Sequence, residues 1–410
     1  MKQKKVAILS AAAAITAASL AFSAVPAYAE APVSTGGYTL AGSDTIQDVV
    51  NALVNGTWIT GAKVQVTTSG VINGSYDAFP NTGPGSYIQT RTPASATALS
   101  YFLRPSGSGD GINSMIASNN LGGTTTWTKN SVGYNVAGLV DIARSSSGAK
   151  TTQTAATATA QSLVFVPFAR DAVSYAYVEG SSWTTAQKDA WASLDQATLK
   201  AIYQGTTTSV EGITPRPLLP QSTSGTRKFF LGSSAGQGIG IGNNNTPAGV
   251  GTGDDTFGEN TAFQVLTAPG QIAPFSAASW IAQNNGAIPF NSIAAANTAL
   301  GAAGSVKLGN PVTGSPVFDT TTTPGKLTPL SGFYSDGRWG RNTYLVVPKG
   351  KYDTDAKLHN LLDPTLTNTT SLTGFSTSPS PGTPGAVKRA FGFLAPSNPT
   401  TLIYALAETY

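Results

Sequence analysis

The chain has 410 residues, of which 11% are charged, 45 are glycine and none is cysteine. A disulfide framework is excluded, so core packing must hold the fold, and this length suffices for two lobes. The formal charge of +4 says little about partners. Lys2, Lys4 and Lys5 fall in a leader without acidic residues, leaving +1, and no Lys/Arg runs with interleaved aromatics point to nucleic acid.

Residues 1–29 read as a secretory signal peptide: basic Met1–Lys5, an Ala-rich apolar run from Val6 to about Val25, and the small-x-small site Ala27-Tyr28-Ala29. Cleavage is expected after Ala29, giving a secreted, extracellular protein; association with the cell surface stays open. A retained anchor is disfavoured because Ala and Ser dominate the run, and the absence of a nearby cysteine excludes a lipoprotein. Residues 30–60 predict strand, loop and helix, with Ala41-Gly-Ser-Asp-Thr45 following Tyr38-Thr-Leu40. Residues 61–100 are a polar loop, 101–118 a Ser/Gly loop leading into a helix, and 119–135 another polar loop. Gly138–Ser147 reads as a buried strand ending in hydroxyls. Leu163–Val178 reads as two strand-like runs broken at Pro167.

Thr184–Tyr203 predicts a helix ended by Gly205. Leu219–Leu231 carries Ser224-Gly225-Thr226-Arg227 into an apolar helical run, and 232–258 is a Gly/Asn-rich loop. Further helices are expected over Asn260–Leu266, Ala277–Gln283 and Asp353–Leu362, and strands over Gly270–Phe275 and Arg341–Pro348. Trp280 is assigned to core packing and residues 366–384 to the exposed surface; Tyr334–Arg341 reads as a cleft-edge loop with two arginines or, preferred, as a solvated turn. Strands alternate with helices throughout, which predicts an α/β fold; there is no internal repeat.

Three hydroxyl-rich loops lead into helices, at Ser43, Ser106 and Ser224. The first N–H groups of a helix lack internal partners and carry partial positive charge, so such loops can converge on one oxyanion. Gly225 lets backbone approach a ligand, and Arg227 can add a charge-assisted contact. The plainer reading of the last motif is a Ser N-cap followed by a surface arginine.

In ordered segments the chain resembles the substrate-binding proteins of phosphate ABC transporters, in their actinobacterial form. The segments are Ala-Gly-Ser-Asp-Thr (41–45), Gly-Ser-Gly-Asp-Gly-Ile (107–112), Ile-Ala-Arg-Ser-Ser-Ser (142–147), Val-Pro-Phe-Ala-Arg-Asp (166–171), Leu199–Gly205, Ser-Gly-Thr-Arg (224–227), Glu259-Asn-Thr-Ala and Pro269–Phe275. They cover most of residues 38–290. The resemblance implies a type-2 periplasmic-binding-protein fold, two α/β lobes joined by two crossover strands. Lobe one would be 30–166 plus 272–410, lobe two 167–271. It implies a phosphate site of Ser43, Asp44, Thr45, Ser106, Ser108, Gly109, Arg144, Ser145 and Ser146 from lobe one, facing Ser224, Gly225, Thr226 and Arg227. It also implies closure about the anion, delivery to an ABC permease, a monomer, and no catalytic residue, metal or cofactor.

Two departures stand out. Where the family has a third-loop carboxylate that accepts the phosphate proton, this chain has Arg144-Ser145-Ser146, leaving Asp44, Asp110 or Asp141 as acceptors. A buried acceptor favours protonated phosphate over sulfate. The arginine expected before Ser-Gly-Thr is replaced by Pro220 and Gln221. The competing readings are the same fold around sulfate or molybdate, a structural or adhesive extracellular protein, and a phosphoester-processing enzyme. The enzyme would need Ser224 as nucleophile and His359, the only histidine, as base, and no orienting acid is evident.

Overall fold

The structure, a computed structural model, describes residues 33, 36–79, 87–91, 101–258, 265–376 and 380–410. The leader and most of the helix expected over Asn260–Leu266 lie outside these. In chain order the elements that build the framework are β1 (Thr39–Gly42), α1 (Gln47–Asn55), β2 (Gly74–Ser75), α2 (Ser108–Ser118), β3 (Ile142–Ser145), β4 (Leu163–Gly180) and α3 (Gly225–Leu231). They continue with β5 (Gln271–Ser276), α4 (Ala277–Asn284), β6 (Gly304–Leu308), β7 (Gly340–Pro348) and β8 (Ile403–Ala405).

β4 organises the molecule. Its run of β-branched and aromatic residues is buried almost throughout, as a strand covered on both faces must be. Its first half lies between β7 and β8, antiparallel to both. Beyond β7 follow β3, β1 and β2, the last three mutually parallel. Its second half lies between β5 and β6, again antiparallel. One strand therefore belongs to two sheets, and the fold is two α/β lobes sharing β4.

Side-chain alternation separates the layers. In the first sheet Val164, Val166, Leu345 and Val347 face one core, while Leu163, Phe165, Tyr344 and Val346 face another. In the second, Val173, Tyr175 and Tyr177 face one core and Ala176 and Val178 the other.

Several expectations change. Pro167 does not break the strand. The ladder to β7 shifts register between Pro167 and Ala169, a bulge that accommodates a residue without an N–H. The carbonyl of Phe168 in that bulge accepts from the buried Lys388 Nζ at 2.9 Å. The helix expected over Thr184–Tyr203 is two helices, Thr185–Ala192 and Gln196–Tyr203. Asp195 starts the second by accepting the Thr198 N–H at 2.8 Å. The polar loop over 119–135 contains a hairpin, Thr126–Lys129 with Val132–Asn135. Asn130 and Ser131 at its tip both have positive φ, the requirement of a tight two-residue turn.

The segment assigned to the exposed surface buries Leu372 and Phe375 in the first core, and the turn expected to be solvated buries Tyr334, Trp339 and Arg341. Trp280 is in the core as expected. The chain was expected to return to lobe one at 272. β6 pairs with the second half of β4, and Ile293, Phe333 and Trp339 pack in cores that include residues of that half. β7, starting at Gly340, is the next strand to join the first sheet.

Candidate anion-binding site

β1 and β3 run parallel, with Gly42 opposite Arg144, so their C-terminal ends deliver two loops side by side. This is where ligands meet open α/β sheets. Ser43 Oγ lies 3.0 Å from Ser146 Oγ, and Ser146 Oγ lies 3.3 Å from Ser108 Oγ at the start of α2. The Ser146 N–H also donates to Ser108 Oγ at 2.9 Å. All three serines are buried. Gly225, at the start of α3 in the other lobe, closes this cluster. A Cβ there would collide with Ser146 Oγ and, at 2.5 Å, with Ser108 Oγ, so only glycine permits the approach. Alongside, Thr45 Oγ1 and Thr226 Oγ1 face each other across the lobes at 3.4 Å.

The other expected residues do different work. Ser145 Oγ donates to its neighbour's carbonyl at Ser147, at 2.7 Å. Ser224 Oγ caps α3 by accepting the Arg227 N–H at 3.1 Å, as the plainer reading had it. Ser106 and Gly109 join the lobes directly. The Ser106 carbonyl accepts from Gln221 Nε2 at 2.7 Å and Thr223 Oγ1 at 2.8 Å, and the Gly109 N–H donates to the Thr223 carbonyl at 3.1 Å. Gly107, at φ +91°, makes this possible: a Cβ there would stand 2.7 Å from the Thr223 carbonyl oxygen.

Both expected arginines point elsewhere. Arg144 is buried beneath the first lobe, donating to the Ser43 carbonyl at 3.1 Å, Ser75 Oγ at 2.5 Å and the Tyr76 carbonyl at 2.6 Å. Arg227 is turned into the second lobe. It donates to the Pro220 and Asn244 carbonyls and Thr246 Oγ1, and pairs with Asp255 at 3.3 Å. Their chemistry is to hold loops, which is how a guanidinium compensates its own burial.

The cation that does reach the threonines is Arg341, which sequence reasoning placed in a solvated turn. Its Nη2 donates to Thr226 Oγ1 at 2.7 Å and lies 3.4 Å from Thr45 Oγ1. Asp171 stands opposite it in the β4–β7 ladder. Asp171 Oδ2 accepts from Arg341 Nε at 3.1 Å and Nη2 at 2.9 Å, and Oδ1 accepts from Ser276 Oγ at 2.9 Å and the Ala278 N–H at 3.1 Å. The available signal was two opposite charges, Asp171 and Arg341, each in a strand-like run.

The carboxylates also sort themselves. Asp141 lies at the start of β3, away from the serines, bound to the Thr39 N–H and hydroxyl and to Arg91. Asp110 accepts from the Ser106 N–H at 3.2 Å and from Lys129 Nζ at 2.6 Å. Asp44, between Ser43 and Thr45 in the chain, is buried. One turn further on, burial pushes the Asp48 carboxyl up to about 7. The Asp77 carboxylate adds to that rise, and Arg144 opposes it. His359 lies against the Tyr352 ring and near the Tyr352 carbonyl, on a helix of the first lobe, whereas Ser224 caps α3.

The chain is similar to phosphate-binding proteins of solved structure. One from Stenotrophomonas maltophilia shares 13% identity, covering 88% of this chain and 91% of that one, with a TM-score of 0.45. A high affinity periplasmic phosphate-binding protein, PfluDING, bound with phosphate, shares 15% over 89% and 92%, at 0.44. An ABC-type phosphate transport receptor from Vibrio cholerae shares 13% over 78% and 91%, at 0.36. No family model and no curated protein matches the chain.

Proposed function

We propose that the chain is a solute-binding protein that captures inorganic phosphate between its two lobes, outside the cytoplasm, for an ABC importer. The observation that carries this reading is the meeting of Ser43, Ser108 and Ser146 with Gly225 of the other lobe. Neutral donors from several segments, at the starts of helices, suit a ligand that brings its own negative charge and four oxygens. Closure of the lobes removes the anion from water, which strengthens each contact. A binding role is supported by Ser224 capping a helix and by His359 contacting Tyr352 in the first lobe.

Selectivity rests on Asp44. It is buried, between Ser43 and Thr45 in the chain, and a carboxylate there can accept the proton that phosphate carries and sulfate lacks. Asp110, Asp141 and Asp171 serve lysine, arginine and backbone groups. The test is calorimetric titration of the mature chain, stripped of ligand by partial unfolding, with phosphate and then sulfate. Micromolar or tighter phosphate binding without a sulfate response is expected. Equal binding of both would reassign the site to oxyanions in general, and silence from both would sink the receptor reading.

A further inference from the structure

We infer that Arg341 supplies the cationic contact to the bound anion and that Asp171 is the residue that positions it; this rests on the oxyanion-receptor reading above. Arg341 is 3% exposed in its side chain. Its Nε and one Nη2 proton are taken by Asp171, and Nη2 also donates to Thr226. Nη1 is buried and finds no hydrogen-bond acceptor among the described residues. A buried N–H group without a partner is destabilising, so a folded protein keeps one where something else fills the role.

The position says what that is. Thr45 lies just before α1 and Thr226 in the first turn of α3, and the same guanidinium touches both. An anion oxygen that reaches Nη1, on the same guanidinium whose Nη2 touches Thr45 and Thr226, would make a charge-assisted bond there. Arg227 also has a buried nitrogen without a partner, its Nε. Its two Nη groups, however, are anchored on second-lobe loops, and it contacts neither Thr45 nor a first-lobe serine. All three nitrogens of Arg144 have acceptors.

Asp171 fixes the arginine for a physical reason. Four donors saturate its two oxygens, so the carboxylate cannot rotate, and its two bonds to Arg341 orient the guanidinium edge. The two residues also sit on the outgoing and returning strands, at the place where the lobes join. The anion's charge is thereby read at the hinge as well as at the loops. Because Asp171 already neutralises Arg341, attraction is short-range and directed, and salt should change affinity little.

The experiment is phosphate titration of the full chain and of R341K, R341Q and the double variant R341Q/D171N, each with thermal melting in phosphate-free buffer. R341Q leaves Asp171 buried and unpaired and can fail to fold; the double variant removes both charges and keeps the test open. The expected result is a folded double variant that binds phosphate about 100-fold more weakly, with R341K intermediate. A folded double variant that binds as tightly as the parent would overturn the assignment while leaving the receptor reading intact. A parent that binds neither phosphate nor sulfate would overturn both.

Discussion

Gly225 tests the site at the scale of one residue. A methyl group there would press on Ser108 and Ser146, so Gly225→Ala should weaken phosphate binding by about 1–3 kcal/mol in calorimetry, the usual cost of overpacking. Unchanged affinity would mean the lobes do not close to this distance. Arg227→Gln should do the opposite of what its motif implies. It should lower stability by about 2 kcal/mol or more in denaturant melts, because loop carbonyls and Asp255 lose their partner, and leave affinity unchanged. Asp48 gives a pH signature. Its carboxyl titrates near 7 in the folded chain and near the ordinary carboxylate value when unfolded, so the folded state holds more protons in between. Stability should therefore fall as pH rises from about 4 to about 7, and urea midpoints of Asp48→Asn should lose that slope. An identical slope in the variant would assign it to another group. The hydroxyl loops were legible in the chain because a Ser/Gly loop before a helical pattern is a local signal. Arg341 was not. Its meaning comes from Asp171, 170 positions away, and only the register of two strands brings them together.

At the scale of elements, the link between α2 and the segment before α3 makes a distinct prediction. Gln221 and Thr223 both donate to the Ser106 carbonyl, which links the lobes directly. Gln221→Ala should speed phosphate dissociation about fivefold in stopped-flow measurements, the effect of one hydrogen bond of about 1 kcal/mol, with little change in association. If association slows instead, Gln221 acts before closure. Element boundaries show what local pattern hides. Pro167 signalled a break, yet neighbouring strands overrode it by taking up a bulge. Asp195 marked a second helix start inside a run read as one helix, a capping signal that periodicity masked. The hairpin at Asn130-Ser131 lacks the glycine that usually announces such a turn. Leu372 and Phe375 were hidden by the Ser/Thr/Pro residues around them.

At the scale of the molecule, the α/β class followed from alternating strands and helices, while the two lobes came from chain length and from the resemblance. Residues 277–339 contain both a junction helix, α4, and β6, which pairs with the second half of β4. In α4, Ala278 and Ala282 pack into the first-lobe core, Ala277 and Ile281 into the second. Local sequence cannot say which lobe such a helix serves. The division of β4 between two sheets also bears on the order of assembly. Its second half pairs with β5 and β6, which arrive within the following 130 or so residues. Its first half pairs with β7 and β8, and Leu163 meets Pro348 and Ala405. A chain emerging from its N-terminus can complete the second sheet while the first still lacks β7 and β8. The loops carrying Ser43, Ser108 and Ser146 are then among the last to be fixed by a complete sheet, after the second sheet has formed.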